Sequence, residues 1–169
     1  MQVDTATYYL KSFDKLTEEF ATTFINFGKK EFNSPIEEGR WSPGQYVEHL
    51  ILAEKGTLKL MNRPGETEEG RAPDALCAKL ENAMMQIDHK VEAHDAISPK
   101  PKTYNRGDLL DQFVDSRAEL RTAFEFVDQI TEVVDWTHPL FGKLTKCEWL
   151  YFTALHGERH RRQVVDALS

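Results

Sequence analysis

Two complete helix-start signatures constrain this chain more than any other feature. Ser42 is followed three residues later by Gln45, with Pro43 at the first helical position, and Thr145 is followed three residues later by Glu148. In each box the hydroxyl accepts from the fourth residue's backbone N–H, and that residue's side chain reaches back to the first N–H. Behind each box apolar residues recur at three- and four-residue steps, which commits both segments to helix. The same period runs through residues 4–28 at Tyr8/Tyr9, Phe13, Leu16, Phe20, Phe24 and Phe27, with Gly28 as a stop. It returns after Pro73 at Leu76, Leu80, Met84, Ile87 and Val91, to about Ala93. A further helix capped by Asn105 buries Leu109, Leu110, Phe113, Arg117, Leu120, Phe124 and Val127. The alternation of a half-buried strand is missing, so the expectation is an all-α fold: a four-helix bundle with one accessory helix. At 169 residues and 40% hydrophobic content, one domain spanning 1–169 can bury its core without disulfides or a structural metal.

The chemistry concentrates in the last helix. On its period Trp149, Phe152, Thr153, His156, His160, Gln163, Val164 and Ala167 share one stripe, while Glu148, Glu158, Arg159, Arg161, Arg162 and Asp166 are expected elsewhere, mainly outward. Histidines four residues apart on an apolar face stack two ring nitrogens within reach of one ion. The glutamate that follows the first histidine in helical metalloproteases is replaced by Gly157. Catalytic zinc sites usually take a third protein ligand, and the second helix offers one: its inward steps are Gln45/Tyr46, His49, Leu52/Ala53, Gly56 and Leu60. His49 lies roughly 10 Å past its N-cap and the midpoint of the 156/160 pair roughly 15 Å from the chain's helical end. Antiparallel packing therefore levels the three rings. Glu48 and Glu54 fall off that stripe, which leaves no evident carboxylate base. His89 and His94 read as surface residues near the end of the third helix. The connector 128–144 is long, and Trp136 and Phe141 are expected to pin it; His138 stays outside the site unless this loop folds back.

Charge and composition remove several classes. A net charge of −7 argues against nucleic acid, because phosphate contacts need a basic face and the only dense basic run is Arg159, Arg161 and Arg162 at a helix end. Cys77 and Cys147 form neither a disulfide framework nor a zinc-knuckle spacing, which suits a reducing, cytoplasmic setting. No secretion signal and no apolar run long enough for a membrane span is visible.

Two segments resemble a known family. WSPGQYVEHLILAE is similar to the second-helix motif of the DinB/YfiT-like metalloproteins (the DinB superfamily), and HPLFGKLTKCEWLYFTALHGERHRRQV is similar to their His-Pro, Gly, His-x-x-x-His-x-x-Gln ending. The resemblance implies a divalent metal held by His49, His156 and His160, with zinc or nickel fitting imidazole best and iron also possible. Gln163, three residues past His160, is the candidate to orient that ring from behind. Many relatives carry a second histidine where this chain has Arg159, which loosens any subfamily assignment. Two enzyme readings follow from the resemblance. In one, the metal activates the sulfur of a low-molecular-weight thiol of the bacillithiol or mycothiol type for attack on an electrophile; in the other, metal-bound hydroxide drives hydrolysis. A third reading is a metal-binding, stress-related protein without turnover. A small-molecule substrate and a homodimer complete the expectation.

Overall fold

The computed structural model describes residues 2–86, 91–126 and 130–169. Four long helices make the bundle: α1 (Gln2–Ile25), α3 (Pro43–Met61), α5 (Arg106–Glu125) and α6 (Lys146–Leu168), with short α2 (Lys29–Phe32) after α1 and α4 (Cys77–Gln86) packed on α6. Along its length α1 lies against α6, and α3 against α5. Both capping boxes form as read: Gln45 N–H to Ser42 Oγ is 3.2 Å and Glu148 N–H to Thr145 Oγ1 is 3.0 Å. Asn105 caps α5 through Asp108 N–H at 3.1 Å.

Three expectations are corrected. A small antiparallel sheet, β1 (Gly65–Thr67), β2 (Glu132–His138) and β3 (Gly142–Thr145), stands where no strand was read. Its strands are short, and a register irregularity between Val133 and Thr137 breaks the alternation that would have announced it. Gly142, at φ 75°, turns the β2–β3 hairpin in a left-handed conformation suited to glycine. The third helix is described from Cys77 to Gln86, starting later than expected, and residues 91–93, expected within it, are not helical; a 3-10 turn follows at Asp95–Ile97. There His94 Nδ1 accepts from Ala96 N–H. Ile87, His89 and Val127 lie outside the described residues. Finally, Glu148, Glu158 and Arg159 on α6 are buried rather than outward, because α6 is packed against α1, α3, α4, α5 and the sheet and has little free face.

Two apolar clusters make the core. One joins Phe13, Leu80, Leu120, Phe124, Val134 and Leu150 beneath the sheet; the other joins Phe20, Phe24, Val47, Leu50, Phe113 and Val164 at the opposite end. Between them lies a buried polar layer. The Arg117 guanidinium sits 4.9 Å from the ring centres of both Phe13 and Phe113. It donates to Glu54 at 2.7 Å, to Thr17 at 3.2 Å and to the Thr153 carbonyl at 3.2 Å. Such a pair repays its desolvation only with good geometry and further hydrogen bonds, and both conditions are met here.

Candidate metal centre

Helices α3 and α6 run antiparallel where they meet. Tyr46 packs on His160 with ring centres 5.1 Å apart, His49 meets His156 at 5.0 Å, and Glu54 reaches Thr153 through Arg117. The order ascends on one helix and descends on the other, which is the packing that levels the three rings. His49, His156 and His160 each offer a ligand nitrogen, all within 4.8 Å of one another. His156 Nε2 is 3.2 Å from His49 Nε2 and 3.0 Å from His160 Nε2.

The hydrogen bonds behind the rings set their tautomers. His49 Nδ1–H donates to the Ile97 carbonyl at 2.8 Å, and His160 Nδ1–H donates to Gln163 Oε1 at 2.7 Å. A neutral imidazole that donates from Nδ1 carries its lone pair on Nε2, so two lone pairs face His156 Nε2. A single proton on His156 satisfies one of these contacts and leaves the other repulsive. Protonating a ring is also disfavoured. Burial holds His49 below its usual pKa against the help of Ile97. Burial, then the charges of His160 and His49, holds His156 well below. Burial and His49 push His160 down to about 3. Three converging lone pairs without protons are what a cation satisfies. Tetrahedral zinc with nitrogen ligands sets neighbouring nitrogens about 3.3 Å apart, close to the two spacings made by His156. The residues present therefore fit a divalent ion.

The three rings line a cleft of about 740 Å³. Its wall on α3 is the stripe Tyr46, His49, Ala53, Gly56 and Leu60 seen in the sequence, joined by the buried Glu54 and Thr57; Val47, Leu50, Ile51 and Met61 are turned to the core instead. Glu54 was expected off the inward side and is 1% exposed, drawn in by Arg117. Burial raises its pKa, and Arg117 opposes that rise. Glu48 does stay away from the rings. It accepts from Tyr104 and the Lys100 N–H and pairs with Lys102 at 2.9 Å, and these contacts outweigh partial burial to hold its carboxyl below the usual range.

The β2–β3 hairpin does fold back. His138 packs on Phe152 at 4.8 Å and Phe141 at 5.0 Å, while Trp136 packs on Trp149 at 5.5 Å, so the pinning aromatics become one cleft wall. Burial lowers the His138 pKa to about 4, yet its ring is not part of the three-histidine group. Sequence reasoning missed the Ile97 carbonyl, which no residue-type signal marks. Trp41, which opens the second-helix motif but was given no role, stands eight residues before His49 and has its ring 5.0 Å from it.

A family model described as the DinB superfamily matches residues 9–164. A search of curated proteins returns no match. Among solved structures, the chain is similar to the crystal structure of TT2238, a four-helix bundle protein, at TM-score 0.57 and 19% identity over 96% of this chain and 98% of that one. That likeness supports the bundle fold. Among the described residues, no helix is long and apolar enough to cross a membrane.

Proposed function

Since the chain belongs to the DinB superfamily, we propose that it is a metal-dependent transferase in which His49, His156 and His160 hold a divalent ion, zinc or nickel by the preference of imidazole. The thiol of a low-molecular-weight cofactor would be joined to an electrophile in the adjoining cleft. The observation that carries this reading is the convergence of three imidazole nitrogens on the wall of a large aromatic cleft. When bound, the ion would supply a charge that neutral ligands leave undiminished, and so would lower the pKa of a thiol beside it.

The chain's own residues do the rest. The Ile97 carbonyl and Gln163 fix the tautomers and aim of His49 and His160. Trp41, Trp136, Phe141 and Phe152 give the cleft an apolar lining against which the body of the electrophile packs. In the transfer, sulfur bonds to the electrophilic carbon, the leaving group departs with its electron pair, and the thiol proton passes to solvent. Hydrolysis would call for a carboxylate to handle the proton of water. Of the two that line the cleft, Glu54 is engaged by Arg117 and Ser116 and Glu92 is on the exposed rim, which favours transfer.

The test incubates zinc- or nickel-loaded protein with bacillithiol or mycothiol and 1-chloro-2,4-dinitrobenzene. Thiol- and metal-dependent turnover, lost in His156→Ala, is expected. Release of 4-nitrophenol from 4-nitrophenyl acetate by the loaded protein without thiol, together with no conjugation, would replace this reading with hydrolysis.

A further inference from the structure

The chain carries a net charge of −7, yet the cleft beside the histidines is lined by four cations, Arg40, Lys59, Arg63 and Arg159, against the two carboxylates Glu54 and Glu92. Glu54 is already neutralised by Arg117. Lys59 and Arg63 are exposed near the far end of α3, about 15 Å or more of helix beyond His49. Arg40 and Arg159 are placed differently. Arg159 is only 7% exposed and is bonded in the chain to His160, while Arg40 directly precedes Trp41, the ring that packs on His49.

Both arginines also line a second hollow of about 440 Å³ with Glu37, Arg162 and Asp166, so they stand where the two hollows adjoin. An anion entering between two like charges is attracted by both, and the planar guanidinium fork matches a carboxylate through two parallel hydrogen bonds. The remainder of the wall is aromatic and aliphatic: Trp41, Trp136, Leu140, Phe141 and Ile97.

We propose that Arg40 and Arg159 form an anion seat at one end of the cleft, and that the molecule taken beside the histidines is an organic acid with an aromatic or branched apolar body. The carboxylate lies against the two guanidinium groups, and the apolar body runs along the tryptophan and phenylalanine wall toward the three rings. This rests on the cleft being the substrate pocket of the proposed transferase, but the seat itself requires no metal.

The experiment therefore starts with chelator-treated protein. Titration calorimetry compares 3-phenylpropionate with its neutral isostere 3-phenylpropionamide, and zinc binding is titrated separately. The acid is expected to bind roughly tenfold more tightly than the amide. Arg159→Gln and Arg40→Gln should each erase most of that preference while circular dichroism stays unchanged, and Arg159→Lys should keep part of it. The half-exposed Arg40 covers the case in which the buried Arg159 variant does not fold. Equal binding of acid and amide, binding of neither, or a preference that survives in Arg40→Gln overturns the seat. So does an acid that binds only with zinc present and ignores both arginines, since it then goes to the ion. An arginine-dependent preference in a protein that does not bind zinc keeps the seat and removes the metal reading.

Discussion

Gly157 and Gly56 are both helical glycines, and they should respond to alanine with opposite signs. In a helix interior alanine is favoured over glycine by about 1 kcal/mol. At Gly56 an added Cβ meets nothing within 4 Å, so Gly56→Ala should show that gain. At Gly157 the same atom lands 2.6 Å from Arg117 Nη2. A guanidinium end usually swings aside, but this one is held by Glu54, Thr17 and the Thr153 carbonyl and lies between Phe13 and Phe113. Moving it weakens at least the bond to Thr153, and overpacking of this kind costs about 2–4 kcal/mol when a charged hydrogen bond is lost with it. Subtracting the helical gain leaves Gly157→Ala less stable by about 1–3 kcal/mol, or roughly 2–12 °C in melting temperature for a chain of this size. Thermal and urea unfolding of the metal-free variants, followed by circular dichroism, measures both. A Gly157→Ala protein as stable as the parent would refute the argument, because it would mean that Arg117 is free to move. Gly157 follows His156 directly, so the same variant should also bind zinc more weakly.

Breaking the buried pair on one side, by Arg117→Met, leaves the Glu54 carboxylate without its cation and should cost about 3–5 kcal/mol in urea unfolding; a loss below ~1 kcal/mol would show that the pair is not holding the helices together. Gln163→Leu removes the acceptor that orients His160, and competition with a zinc chelator should record about 10- to 100-fold weaker binding at nearly unchanged fold. Stability of the metal-free chain should fall with acid in a defined direction. His49, His156 and His160 all titrate below 6.5 when folded, His160 at about 3, so the unfolded chain binds more protons in between. Their contribution is complete above about pH 6.5–7 and is lost as the pH falls below that, for His160 down to about 3, with a slope approaching about 1.4 kcal/mol per pH unit for each ring. His160→Leu should flatten the unfolding profile between pH 7 and 5, and an unchanged slope would count against the buried neutral ring.

Local patterns were legible where their cause is local. A capping box spans four residues and an apolar stripe repeats every three or four, so Ser42 to Gln45, Thr145 to Glu148 and the helices behind them follow from neighbours in the chain. Such patterns also made His49, His156 and His160 candidates for one site. What each stripe faces was not local information. On α3 the stripe through His49 lines an open cleft, and Glu54, read as outlying, is buried beside it, because Arg117 on α5 supplies the charge that permits it. The sheet escaped notice because β1 is three residues long and gains its hydrogen bonds only from a partner strand far along the chain.

By itself the sequence determined the four long helices, the capped starts of three of them and the shared face of two histidines on one helix, since backbone hydrogen bonding and a 3.6-residue period need no distant partner. Only the tertiary structure decided that His49 meets His156 across 107 residues, that the Ile97 carbonyl holds the first ring, and that Arg159 is buried beside the third. Those contacts depend on which helices pack together and in which direction, and packing is a property of surfaces that exist only after the helices have formed.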